Sequence, residues 1–134
     1  TRAVVPGMLE RGRGHVVNIG STAGHAVYPG GTVYAATKHA VDAITRGLKM
    51  DLHGTPIRVS TVDPGLTETE FSLVRFEGDA ERAAPVYATT TPLTADDIAD
   101  AIEWVVTRPA HVNISEVILM PTAQSSVTMV DRKK

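Results

Sequence analysis

A phenol and an ammonium four residues apart, Tyr34 and Lys38 in the string Tyr34-Ala35-Ala36-Thr37-Lys38, are the groups of this chain best placed to do chemistry. On a helix that spacing raises both side chains from one face. An unperturbed phenol titrates at about 10, and a neighbouring ammonium favours the phenolate, so the pair predicts a tyrosine able to exchange protons near neutral pH. Ser21, thirteen positions before Tyr34, follows a short apolar run and offers a hydroxyl to an oxygen whose charge changes during reaction. Pairs of this kind also occur on solvated helix faces, and serines after strands are commonly cap or loop hydroxyls, so the spacing alone does not make an active site.

The elements that must position these groups are legible as alternating helix and strand. Ala3 to about Arg11 reads as a helix end closed by Gly12 and Gly14, and His15-Val16-Val17-Asn18-Ile19 as a strand buried on both faces. A Gly/Pro-containing loop, residues 24–32, leads into a helix from Tyr34 to about Leu52 with Ala40, Ile44 and Leu48 in period. Ile57 to Val62 predicts a second strand, broken by Asp63-Pro64-Gly65. Residues 67–91 have weak periodicity and predict a long, partly helical excursion of the kind that forms lids. Thr94-Ala95-Asp96-Asp97 resembles a capping box opening a helix with Ile98, Ala101, Ile102 and Val105 on one face; Val117 to Met120 is a third strand and residues 125–134 a polar tail. This order predicts an α/β fold with a parallel, doubly wound sheet, whose ligand crevice lies at the strand ends carrying Ser21 and Asp63-Pro64-Gly65.

Composition narrows the function classes. A chain of 134 residues with 43% apolar content supports one compact core, so residues 1–134 are taken as a single domain or part of one. Thirteen basic against fifteen acidic side chains, net charge -2, give no field to recruit nucleic acid or anionic membrane, and the expected partner is a small molecule. There is no cysteine, which fits a reducing cytoplasm, and the five histidines lack paired metal-ligand spacing, so no metal is expected. No apolar run approaches the roughly 20 residues that span a bilayer. The chain opens Thr1-Arg2-Ala3-Val4-Val5-Pro6 without a helix-capping residue, and is expected to be a piece that starts inside an element.

With its neighbours, the candidate constellation resembles a known family. Val17-Asn18-Ile19-Gly20-Ser21-Thr22-Ala23-Gly24 followed by Tyr34-Ala35-Ala36-Thr37-Lys38 is similar to the active-site signature of short-chain dehydrogenases, and Asp63-Pro64-Gly65-Leu66-Thr67-Glu68-Thr69 resembles that family's nicotinamide-side turn. The resemblance implies a Rossmann-like fold of which this chain is the C-terminal half. It implies hydride transfer between NADP(H), with NAD(H) possible, and a secondary alcohol or ketone. Tyr34 would be the proton donor or acceptor and would touch both substrate and cofactor, Lys38 would be its activator and a ribose ligand, and Ser21 the group binding and orienting the substrate oxygen. Pro64, Gly65, Leu66, Thr67 and Thr69 would hold the nicotinamide. Further strings, among them Gly54-Thr55-Pro56-Ile57-Arg58-Val59, Thr69-Glu70-Phe71-Ser72 and Pro109-Ala110-His111-Val112-Asn113-Ile114, are similar to the branch of NADP-dependent 3-hydroxy acid dehydrogenases acting on serine and allo-threonine. That similarity implies a homotetramer with the Tyr34 helix at an interface. The glycine-rich phosphate loop and the residue that reads the ribose 2′ position have no counterpart in these residues.

Other residues keep two readings at this stage. His25 is a solvated loop histidine or a substrate contact, and Arg75 and Arg82 meet a substrate carboxylate or form surface salt bridges. Trp104 is expected in the core, and Arg132-Lys133-Lys134 as a solvated end. The competing functional class is a truncated, non-catalytic module acting through oligomerisation or cofactor sensing. Alone, the piece is expected to be inactive and prone to aggregate, because buried-type strands would lack neighbours.

Overall fold

The computed structural model describes residues 1–132; Lys133 and Lys134 lie outside the described residues. The chain folds as α1 (Val5–Glu10), β1 (Gly14–Ile19), a 3-10 turn (Thr22–Gly24), α2 (Thr32–Asp51), β2 (Ile57–Pro64), α3 (Phe71–Arg75), α4 (Ala80–Tyr87), α5 (Ala95–Val106) and β3 (Glu116–Leu119). The three strands form one sheet in the order β1-β2-β3, and both pairings are parallel. This is the α/β, Rossmann-like arrangement that alternating helices and strands predict.

The pleat sorts β2 onto two faces. Ile57 and Val59 pack with Leu52, Leu48, Val5 and Met8 on the α1/α2 side, whereas Val62 packs with Ile98 and Val105 of α5 on the other. Burial on both faces holds for β2 but not for β1, where the residues are only half-buried and Ile19 is 46% exposed. The physical reason is position: β2 has a strand on each side, while β1 and β3 are edges of this sheet. β2 also runs to Pro64, past the expected break. β1 has already ended opposite Val62, so the missing proline N–H leaves no ladder acceptor without a donor, and Gly65 N–H continues the pairing to Leu119 O at 2.7 Å.

Helix ends follow their sequence signals. Thr94 and Asp97 form the reciprocal capping box, with Asp97 N–H donating to Thr94 Oγ1 at 3.2 Å and Thr94 N–H to Asp97 Oδ2 at 2.7 Å. The other end of α5 is held by Arg58 of β2, whose guanidinium donates to the carbonyls of Val106, Arg108 and Val112.

Two expectations about packing are corrected. Trp104 is not core: it lies 47% exposed on the outer side of α5, with the Arg108 guanidinium 5.2 Å from its ring centroid. Nor is the C-terminal segment a solvated tail. Gln124 and Val130 form an antiparallel bridge, Asp131 N–H donates to Ala123 O at 2.7 Å, and Arg132 donates to the carbonyls of Pro85, Val86 and Ala88. A guanidinium fork suits that place because the last carbonyls of α4 have no partner within the helix.

Candidate active site

At the carboxyl ends of β1 and β2 the chain opens a cleft of about 820 Å³. Ser21, Tyr34, Lys38, Pro64, Gly65, Leu66, Thr67 and Thr69 all line it. β1 and the 3-10 turn deliver Ser21, α2 delivers Tyr34 and Lys38, and the turn after β2 delivers the rest. The excursion supplies the far wall through Phe71, Ser72, Arg75 and Tyr87.

Tyr34 and Lys38 rise from one face of α2, with Lys38 Nζ 5.9 Å from the Tyr34 ring centroid. Lys38 also donates to Ile19 O at 2.9 Å, so its ammonium is fixed between β1 and the phenol, and two of its three protons remain for other partners. Burial lowers the Lys38 pKa, and the Asp63 carboxylate opposes that shift. The Tyr34 ring is in turn set by Phe71, 5.3 Å away between centroids and inclined by 55°.

Ser21 is buried and begins the 3-10 turn: its Oγ accepts from Ala23 N–H at 3.1 Å and donates to Pro64 O at 3.4 Å. The donated bond is long, which leaves the hydroxyl proton able to turn to a ligand oxygen in the cleft. In the turn after β2, Gly65 N–H donates to Leu119 O, Leu66 N–H to Gln124 Oε1 at 2.7 Å, and Glu68 N–H to Leu93 O at 2.8 Å. The Thr67 N–H has no partner among the described residues. Thr69 Oγ1 accepts from Phe71 N–H at 3.2 Å, so its proton is free for another acceptor.

The remaining candidates fall differently. His25 is solvent-exposed and outside the cleft lining, as a loop histidine would be, but it also has acidic partners: its Nε2 lies 2.8 Å from Asp63 Oδ2 and 3.1 Å from Glu116 Oε1. Asp63 is buried and its Oδ1 accepts from Thr61 Oγ1 at 2.6 Å. Burial first, and then the hydrogen bond with Asp63, push the Glu116 carboxyl above the ordinary glutamate range, with His25 and Arg46 pulling it back. The donor atoms of His25, Asp63 and Glu116 lie within 4.8 Å of one another. Arg75 lines the cleft and donates to Tyr28 Oη at 3.3 Å, and Arg82 lies 4.8 Å from the Phe76 ring centroid; among the described residues neither forms a salt bridge.

Sequence reasoning missed Tyr28, Tyr87, Gln124 and Arg132 in the lining. Tyr28 packs against Gly31, where a side chain would meet its ring at 2.3 Å, a closeness visible only in the fold. Gln124 and Arg132 carried no signal in the sequence, because their partners lie far away in the chain.

A family model for short chain dehydrogenase matches residues 1–79, and the chain belongs to that family. It is 57% identical over 126 residues to the NADP-dependent 3-hydroxy acid dehydrogenase YdfG of Salmonella typhi, covering 93% of this chain and 51% of that protein. The Escherichia coli K12 protein of the same name is 53% identical over the same shares. Among solved structures, the closed form of serine dehydrogenase complexed with NADP+ superposes with a TM-score of 0.92 at 49% identity, covering 99% of this chain and 54% of that one. The chain therefore spans about half the length of the curated relatives it matches. No helix among the described residues is long and apolar enough to cross a membrane.

Proposed function

We propose that these residues form the catalytic half of a single dinucleotide-binding domain in an oxidoreductase that moves hydride between NADP(H) and a secondary alcohol or its ketone. The substrate class is a 3-hydroxy acid such as serine, following the relatives' names, with allo-threonine following from the sequence resemblance alone, and NAD(H) is the alternative cofactor. The observation that carries this reading is the convergence of Ser21, Tyr34 and Lys38 with the Pro64–Thr69 turn on one cleft. Its volume of about 820 Å³ suits a cofactor end and a small acid together. The partnerless Thr67 N–H and the free proton of Thr69 Oγ1 suit a carboxamide.

The nicotinamide, when bound, supplies the hydride acceptor or donor. The chain's own residues handle the proton. In the oxidative direction Tyr34 takes the hydroxyl proton of the substrate, and the Lys38 ammonium stabilises the phenolate that makes this possible. The Ser21 hydroxyl turns from Pro64 O to the substrate oxygen and holds it as the carbonyl forms. Reduction runs the same transfers in reverse.

Exposed apolar residues on α2, among them Val33, Ile44 and Met50, support self-association through that helix, and a homotetramer is the assembly proposed. The test of substrate class is direct. Full-length protein, NADP+ or NAD+, and a panel of 2- and 3-hydroxy acids are mixed while reduced-cofactor absorbance is followed. Turnover of 3-hydroxy acids with NADP+ is expected; activity confined to another substrate class would overturn the assignment.

A further inference from the structure

Gln124 belongs to the C-terminal segment, outside every motif that points to the cleft, yet its side chain reaches the turn after β2. Its Oε1 accepts from Leu66 N–H at 2.7 Å, and its Nε2 donates to Ser126 O at 3.0 Å. The residue is 9% exposed and is held by its own backbone, with Gln124 N–H on Pro121 O at 2.8 Å and the bridge to Val130. Gly65 makes room for it: a Cβ at that position would lie 2.3 Å from Gln124 Oε1. Leu119, Gln124 and Leu93 thereby fix the amides of Gly65, Leu66 and Glu68, and Leu66 O accepts from Leu93 N–H at 2.9 Å. Thr67 N–H, between these anchors, is left for a ligand.

We infer that Gln124 is a positioning residue for the cofactor: by holding Leu66 it sets the turn so that Thr67 and Thr69 receive the nicotinamide carboxamide. The inference rests on the proposed function and adds a residue to it. Chemistry supports glutamine specifically. A side-chain amide offers an acceptor to Leu66 and a donor to Ser126 at once, whereas methionine of similar length offers neither and glutamate keeps only the acceptor. Removing the acceptor leaves a half-buried N–H beside the cleft, and the turn relaxes to satisfy it.

The test compares full-length wild type, Gln124→Met and Gln124→Glu for binding of NADP+ and of adenosine 2′,5′-bisphosphate, which carries the adenosine end of the cofactor without nicotinamide. Gln124→Met should weaken NADP+ roughly 10-fold or more, from the loss of one buried hydrogen bond. It should leave the bisphosphate within about twofold, since that ligand makes no contact with the turn. Gln124→Glu should recover part of the NADP+ affinity through the retained acceptor. Equal loss for both ligands would reduce Gln124 to a general structural role, and unchanged NADP+ affinity would remove it from the site; either overturns the inference. If Gln124→Met does not fold, Gly65→Ala displaces the same side chain and must weaken NADP+ selectively for the inference to stand. Wild-type protein that binds neither NADP+ nor NAD+ would instead refute the proposed function itself.

Discussion

Gly20 is glycine for a steric reason, and replacing it is a sensitive test of how the cleft is built. A methyl group there would sit 1.8 Å from Asp63 Oδ1 and 2.9 Å from Thr61 Oγ1, well inside the 3.4 Å at which ordinary contact begins. The obstructing group is no flexible chain end. Asp63 is 2% exposed, with Oδ1 taking the Thr61 hydroxyl at 2.6 Å and Oδ2 facing His25 at 2.8 Å. In Gly20→Ala either the carboxylate swings away and loses these bonds, or the backbone of Gly20 and Ser21 retreats. Overpacking alone costs about 1–3 kcal/mol and a lost charge-assisted bond about 1.5–3 kcal/mol, so the expected destabilisation is about 2.5–6 kcal/mol. For a full-length protein of family size that corresponds to a fall in Tm of roughly 5–24 °C. If the backbone moves, Ser21 moves with it, and a displacement of about 1 Å lowers turnover about 100-fold. Thermal unfolding and cofactor-linked turnover read both outcomes, and the penalty should shrink in an Asp63→Ala background, where the obstructing carboxylate is gone. A Gly20→Ala protein with wild-type Tm and turnover would refute this account of the β1 end.

Three further outcomes are expected. Thr94→Ala removes the N-cap of α5 and should lower stability by about 1 kcal/mol in denaturant unfolding, with unchanged unfolding slope. Glu116 binds its proton more tightly when folded than its ordinary value of 4.5, so its stabilising contribution is complete below that value and is lost as pH rises through the raised one. Unfolding midpoints measured upward from pH 4.5 should therefore fall less steeply for Glu116→Gln than for wild type; parallel curves would refute the raised affinity of Glu116 for its proton. The isolated 134-residue chain, with Ile19, Val33, Ile44 and Ile118 exposed, should scatter light and bind apolar dyes, and a monodisperse, cooperatively unfolding preparation would contradict this.

The sequence was informative where local periodicity or a short motif carried the structure. The Thr94–Asp97 box, the β2 run and the Tyr34–Lys38 spacing are all readable within a few residues of one another, and each appears in the fold. What could not be read depends on chain segments meeting late. His25 looks like a loop histidine until β2 and β3 bring Asp63 and Glu116 to it, and Gln124, between the third strand and the expected tail, belongs to no motif until the turn after β2 lies beneath it. Trp104 misled for a different reason. Its residue type suggests burial, but Ile98, Ala101, Ile102 and Val105 already define the inward face of α5, and Trp104 lies off that face.

The most direct measurement of the central claim is turnover of full-length Tyr34→Phe, made beside its affinity for NADP+. The substitution deletes one oxygen and keeps the ring against Phe71 and beneath Lys38. Loss of turnover by at least 100-fold, the scale of positioned acid/base catalysis, with NADP+ affinity within about twofold, is the predicted result. Turnover equal to wild type would show that the proton travels by another route and that the phenol has no part in the reaction.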